Sequence, residues 1–596
     1  MSATLIETEQ AYEAPVRADG RAAGAHKIVR SVSRCALTTL LGVAISGCAT
    51  IQRSPAPSAP TRPNILLIVA DDMGYADLGA FGSEIPTPNL DRLAVGGVRF
   101  TRFRAAAACS PSRAMLLTGV DAPVAGLGNM AEELAPNQVG KPGYEGELSD
   151  RVVTLATRLQ ATGYRTLLSG KWHLGDSAAA LPSARGFDHS FALASGGASH
   201  FADMRPAYAK SPTATAAYFE DGVRLERLPP SFRYSSQFYV DYLLDRLPGL
   251  ATDQAGERAP ASEPPFFALL SFTAPHWPLQ APDAAIAAFA GRYDAGWEVL
   301  LRQRHARQRA LGVVAADAPP NLLPWPAWSS LDAEARSRAA RAMEIYAAMI
   351  HEMDRHTGRL IDALRDRGLL ENTIVVFLSD NGAEGHTYDE TWPADQFPAI
   401  RAAIDARHDF SYERMGLPGS YVFYDAEWAR AGSPTSRWHK GFPTEGGLRV
   451  PAFVHYPRRF AGRIERTPVF IKDVAPTLLD LVGVDPVSPA GKVPMTGTSL
   501  LPLLDAPGQP PAARIEVFEL FGKVAVVSDP WKALRIPAPW RAEDAADWAL
   551  YNVDADPLEL HDLSGAYPQR LATLQDAWRD YAARLGVVLP DWVSGY

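Results

Sequence analysis

Four short apolar runs in this chain stop abruptly in polar residues. They are NILLIVA (64–70) before Asp71-Asp72, TLLSG (166–170) before Lys171-Trp172-His173, FFALLSF (266–272) before Thr273-Ala274-Pro275-His276, and TIVVFLS (373–379) before Asp380-Asn381. Runs apolar on both faces fit strands covered by helices on both sides. Helical stretches lie between them, at 150–162, closed by Gly163, and at 333–367, amphipathic and closed by Gly368. Strands alternating with helices predict an α/β fold, a mostly parallel central sheet with helices on both faces. In such sheets ligands bind beyond the carboxyl ends of the strands, so the four polar groups are expected to gather at one edge.

After about residue 510 the pattern changes. IEVFELFGKVAVVS, WKALRI and WALYNVD read as short strands of an antiparallel sheet, followed by a helix at 566–585. The expected organisation is an export segment at 1–48, a Pro/Ser/Ala tether at 49–62, a main domain at 63–509 and a smaller C-terminal domain at 510–596. The stretches 176–235 and 383–440 show no period and are expected to be loops over the site.

Composition narrows this only a little. The 596 residues allow two or more domains, and 47% hydrophobic with 21% charged is the balance of a globular protein. A net charge of −9 offers no general attraction to nucleic acid. Of the three cysteines, Cys35 and Cys48 lie near the start, in a segment with Lys27, Arg30 and Arg34 ahead of an apolar run at 35–47. That run is too short to span a bilayer and reads as an export signal, placing the protein in the periplasm or cell envelope. Ile45-Ser46-Gly47-Cys48 resembles a bacterial lipoprotein box, which implies membrane attachment through lipid on Cys48; an ordinary cleaved signal peptide is the alternative. Either way Cys109 has no partner for a structural disulfide.

Asp71, Asp72, Asp380 and Asn381 offer only hard oxygen donors, a set that suits Ca²⁺ or Mg²⁺ rather than zinc. Either pair alone is an ordinary turn-former, but two pairs at one sheet edge favour a metal. Cys109 opens CSPSRAMLLTG. Pro111 is expected as the first helical residue with Ser110 as its cap, which puts Cys109 at a helix N-terminus where an anion is favoured. Arg113, one turn on, can reach back towards it. A small buried cysteine is the common alternative, but its Ser, Pro, Ser and Arg neighbours are not core composition.

These motifs resemble the type I sulfatases, most closely the bacterial arylsulfatases of the alkaline phosphatase superfamily. The C-x-P-S-R signature matches Cys109-Ser110-Pro111-Ser112-Arg113, and a second signature matches GYRTLLSGKWHLG at 163–175. The two metal pairs, TAPHWPLQAP at 273–282, HKGFPTEGGLRVP at 439–451 and the C-terminal ELFGKVAV, WKA and LYNVDADPLELHDLS match as well, so the likeness runs from about 64 to 585. It implies a hydrolase that cleaves sulfate monoesters, aryl or alkyl, to alcohol and sulfate. Cys109 is then converted to Cα-formylglycine by a separate maturation enzyme. One divalent cation, Ca²⁺ by the resemblance although the donors also permit Mg²⁺, is held by Asp71, Asp72, Asp380, Asn381 and the converted Cys109. Arg113 holds the aldehyde hydrate, Lys171 and Lys440 bind sulfate oxygens, His276 protonates the leaving oxygen and His173 takes a proton from the hydrate. Two other readings remain open at this point: a phosphonate monoester or phosphodiester hydrolase of the same superfamily, and a lipoprotein that binds sulfated glycans without turnover.

Overall fold

A computed structural model describes residues 62–208, 211–250, 263–323, 326–508, 512–541 and 546–594. The export segment with Cys35 and Cys48, and the tether as far as residue 61, lie outside the described residues. Among the described residues the first strands in chain order are β1 (Asn64–Ala70), β2 (Val98–Phe100), β3 (Phe103–Arg104), β4 (Arg165–Lys171), β5 (His189–Leu193), β6 (Tyr218–Glu220), β7 (Val223–Arg224) and β8 (Phe266–Ser271). They are followed by β9 (Thr373–Ser379), β10 (Ala452–His455), β11 (Arg463–Glu465), β12 (Val469–Phe470), β13 (Glu516–Leu520), β14 (Lys523–Ser528), β15 (Trp531–Arg535) and β16 (Ala549–Asn552).

Ten of these form one sheet in the order β11-β2-β10-β9-β1-β8-β4-β5-β6-β7. Its centre is parallel: β1 lies between β8 and β9, with Leu67 opposite Leu269 on one side and Val376 on the other. Antiparallel pairs appear only towards the two edges, where β10 joins β9 and β2, and β6 joins β5 and β7. Alternate residues of β1 enter two cores. Leu66, Ile68 and Ala70 join one with Met343, Tyr346 and Met353 of the helix Ala333–Asp366. Ile65, Leu67 and Val69 join the other with Ala114 and Leu117 of the helix Cys109–Thr118. The expected mostly parallel α/β sheet, apolar on both faces, is therefore what forms.

Three local expectations fail for identifiable reasons. The helix expected at 150–162 is only Leu155–Gln160, because Thr154 caps it by accepting the Thr157 N–H, 3.1 Å away. The stretch 176–235 is not a loop: it supplies β5, β6 and β7, strands of two to five residues whose identity comes from pairing rather than from a period. The stretch 383–440 carries three short helices, Tyr388–Thr391, Pro398–Asp405 and Asp425–Gly432.

The C-terminal strands β13 to β16 form an antiparallel sheet followed by the helix Pro568–Leu585. One face of it, with Phe518, Leu520, Leu534 and Tyr551, merges into the second core of the main sheet. The other face, with Val517, Val524, Val526 and Leu550, packs under Leu574 and Tyr581 of the helix. A buried charge network links the C-terminal sheet to Arg104 of β3, which pairs with β12 in a separate two-stranded sheet, and to Glu445 of the short helix Glu445–Leu448. Lys532 Nζ lies 3.0 Å from Glu445 Oε1 and 2.8 Å from Glu559 Oε1, while Arg104 reaches Glu445 at 3.0 Å and Asp529 at 2.7 Å. Removing one partner from such a network strands a charge without water. Lys532→Met is therefore expected to destabilise the fold by about 3–5 kcal/mol, read as a lower urea midpoint at unchanged m-value. An unchanged midpoint would show that the network adds nothing.

Candidate active site

The strand ends of the parallel sheet bring distant residues together because the ladder continues past them. Asp71 N donates to Ala274 O and Asp380 N to Ala70 O, each at 3.1 Å. Asp72 turns the chain at φ +67, a left-handed conformation, and its N–H donates to Asp380 Oδ1 at 3.2 Å. On the other side of β8, Gly170 has φ +120, and a Cβ there would lie 1.8 Å from Ser271 O. Only glycine lets β4 and β8 approach this closely, one residue before Lys171.

Cys109 arrives on a helix that begins at Cys109 itself, two residues earlier than expected. Ala108 is the N-cap and Ser110 makes no capping bond; Ser112 Oγ instead accepts the Ala106 N–H at 2.9 Å. Pro111 sits in the third helical position, where its missing N–H has no acceptor to lose. Cys109 Sγ lies 3.4 Å from Asp71 Oδ1 and 3.5 Å from Asp72 Oδ1. Burial pushes this thiol well above its ordinary pKa, with Lys171 and Lys440 opposing, so it is a neutral SH and a poor nucleophile.

Three cations surround the carboxylates. Lys171 Nζ donates to both Asp71 oxygens at 2.8 Å, and Lys440 Nζ to Asp72 Oδ2 at 2.9 Å, with Glu384 Oε2 at 3.2 Å. Arg113 Nε donates to Asp380 Oδ2 at 2.7 Å, and its Nη1 to Ser271 Oγ at 2.6 Å and Lys171 O at 3.0 Å. All are buried. Burial pushes Asp71 up to about 8, and neighbouring Asp380 adds to it while Lys171 opposes. Burial likewise raises Asp72, with Glu384 and Asp380 adding to it and Lys440 opposing. Asp380 goes the other way: burial would raise it, but Arg113, Lys171 and Lys440 outweigh that.

The donor set fits a divalent cation. Burial pushes Asp71 and Asp72 towards protonation even with Lys171 and Lys440 beside them, and Asn381 Oδ1 is a buried acceptor without a hydrogen-bond partner, although its Nδ2 donates to Asp72 Oδ1 at 2.7 Å. Asp71, Asp72, Cys109 and His276 each bring one ligand atom within 4.8 Å of the others.

The two histidines lie at the margin of this cluster. His276 bonds through Nδ1 to Trp277 O, while Nε2 stands 3.6 Å from Asp72 Oδ2 with no hydrogen-bond partner. Burial, aided by Lys440 and Lys171, holds His276 well below its ordinary value. His173 Nε2 lies 3.0 Å from Glu132 Oε1. Nine of the ten expected site residues meet through these contacts, whereas His173 contacts Glu132 and feels the charges of Lys171 and Arg113. Glu132, Ser271 and Glu384 were not legible in the sequence, since each sits in an unremarkable context and meets its partner only across the fold.

Residues 63–484 match the family model described as Sulfatase. The chain is 39% identical over 555 residues to an uncharacterised sulfatase of Schizosaccharomyces pombe, covering 88% of this chain and 94% of that protein. It is 40% identical over 448 residues to an arylsulfatase of Klebsiella aerogenes, covering 74% and 91%. A crystal structure of a sulfatase from Pseudoalteromonas sp. shares the fold with a TM-score of 0.56 at 22% identity, covering 88% of this chain and 90% of that one.

A cation bound only by the folded state stabilises it, by ~2.7 kcal/mol at a hundred times its Kd. Adding Ca²⁺ to chelator-treated protein is therefore expected to raise the melting temperature, and Asp380→Ala with Asn381→Leu to abolish the rise. An undiminished rise in that double variant would remove both residues from the ligand set.

Proposed function

The chain belongs to the sulfatase family, and from that premise we propose that it hydrolyses aryl or alkyl sulfate monoesters through a formylglycine at position 109. The observation that carries this reading is the buried, neutral Cys109 thiol between Asp71 and Asp72: as a cysteine it is inert, and as an aldehyde hydrate it would present two hydroxyls in the same place. One hydroxyl attacks sulfur as the S–O bond to the alcohol breaks, and the second loses its proton as sulfate departs, which restores the aldehyde. Asp71, Asp72, Asp380 and Asn381 would hold a divalent cation, Ca²⁺ by family likeness. Such a cation lowers the pKa of a neighbouring hydroxyl and offsets charge on sulfate oxygens.

The remaining steps belong to the chain's own side chains. Lys171 and Lys440, buried and already oriented by Asp71 and Asp72, bind the sulfate oxygens, so that the growing negative charge meets fixed positive charge without reorganisation. Arg113, locked by Asp380, Ser271 and Lys171 O, steadies the position of residue 109. His276 is neutral, buried beside Lys440 and Lys171; the negative charge of a bound sulfate ester would favour protonation at Nε2, which then donates to the departing alkoxide, a contribution that grows as the alcohol becomes a poorer leaving group. His173 accepts the proton of the second hydroxyl.

The same proposal covers what the sequence alone supports: export through residues 1–48 to the cell envelope, lipid attachment at Cys48, a domain boundary near 510, and dependence on a separate maturation enzyme. Among the described residues no helix is long and apolar enough to cross a membrane.

Mass spectrometry of the peptide containing residue 109, from protein made in its native host, is expected to show the aldehyde; an intact thiol would sink the mechanism. Cys109→Ala is expected to lower kcat at least 10³-fold. A kcat/KM for a phosphate diester far above that for the matching aryl sulfate would reassign the substrate class.

A further inference from the structure

His173 has a carboxylate partner that no motif foretells. Its Nε2 lies 3.0 and 3.3 Å from the two oxygens of Glu132. Glu132 stays ionised, since the His173 ring beside it outweighs the upward push of burial. A carboxylate only accepts, so Nε2 carries the hydrogen, and since burial lowers the pKa of His173, the ring is neutral and Nδ1 keeps the lone pair. Nδ1 is buried and has no hydrogen-bond partner. The bond to Glu132 therefore decides which nitrogen of the ring is basic.

Two features hold Glu132 there. A Cβ on Gly196 would lie 2.8 Å from His173 Cε1 and 2.9 Å from Glu132 Oε1, so the chain closes over this pair only with glycine. Behind the turn Ala131–Glu133, the segment 587–594 runs back along the loop that carries it. Gln138 Nε2 donates to Val588 O at 2.8 Å, Asn137 Nδ2 to Leu589 O at 2.9 Å, and Ser594 Oγ to Glu133 Oε2 at 3.0 Å. Burial also pushes Glu133 up to about 8, leaving it a neutral acid at physiological pH, so Glu132 is the one charge on the turn.

We propose that Glu132 is a positioning residue that fixes the His173 tautomer so that Nδ1 is the base for sulfate release, and that residues 587–594 are a strap holding the turn that carries it. The inference rests on the formylglycine reading above. In that step the proton of the second hydroxyl passes to Nδ1, its oxygen forms the C=O bond, and sulfate leaves with the electron pair of the broken C–O bond.

The test uses full-length protein carrying Glu132→Ala, Glu132→Gln or Gly196→Ala, and a chain ending at Gly586. Turnover of an aryl sulfate is quenched and residue 109 is weighed, while the ¹⁵N spectrum of labelled histidine, taken without substrate, reads the tautomer. Glu132→Ala is expected to lower kcat roughly 10²-fold with little change in KM, to accumulate sulfated residue 109 and to mix the His173 tautomers. Glu132→Gln, whose amide oxygen accepts the same hydrogen, is expected to restore the tautomer and most of kcat. Gly196→Ala and the strapless chain should move the same readouts as Glu132→Ala, by less. Unchanged kcat in Glu132→Ala, or a loss of kcat without sulfated residue 109, overturns the proposal. If wild-type residue 109 is an intact thiol, the underlying mechanism fails instead, and the histidine spectrum still reports whether Glu132 sets the tautomer.

Discussion

The structure turns on a dense group of charges buried where parallel strands end. Asp71, Asp72, Asp380 and Glu384 face Lys171, Lys440 and Arg113 with almost no access to water. Taking any one of these ions out of water costs several kcal/mol, and only close pairing offsets it. The pairing is incomplete: Asp71 and Asp72 are pushed towards neutrality, and Asn381 Oδ1 has no donor. Fixed positive charge beside incompletely neutralised carboxylates suits the hydrolysis of an anionic sulfate ester, because that charge needs no reorganisation as the reaction proceeds.

Keeping that group in place demands a rigid platform, and the two-sided sheet supplies it. β1 is buried on both faces, so Asp71 and Asp72 leave a strand that cannot shift without disturbing two cores. Lys171 and Asp380 leave β4 and β9 in the same way. Lys440 lies on an irregular segment instead. It is steadied through Glu445, five residues on, which Arg104 and Lys532 tie to the C-terminal sheet. The C-terminal chain thus supports the site at two points, through that network and through the strap behind Glu132.

The motif residues could be read because each stands at the end of an apolar strand or in a distinctive short signature, and local order alone suffices to place such residues. The edge strands β5 to β7 could not be read, because strands of two to five residues acquire their identity from a neighbour's hydrogen bonds. The start of the Cys109 helix was misplaced for a related reason. Proline fits any of the first helical positions, so Pro111 did not fix the first turn.

What the sequence alone determined was the α/β sheet, the set of residues brought to its edge and the chemical likeness they carry. Those follow from apolar periodicity and residue type, which are properties of short segments. What only the tertiary structure decided was the state of each group: the neutral thiol of Cys109, the unsettled protons of Asp71 and Asp72, and the Glu132 carboxylate that leaves Nδ1 of His173 as the basic nitrogen. Protonation and tautomer depend on burial and on partners distant in sequence, 41 residues for His173 and Glu132 and 100 for Asp71 and Lys171, and no local pattern encodes those distances.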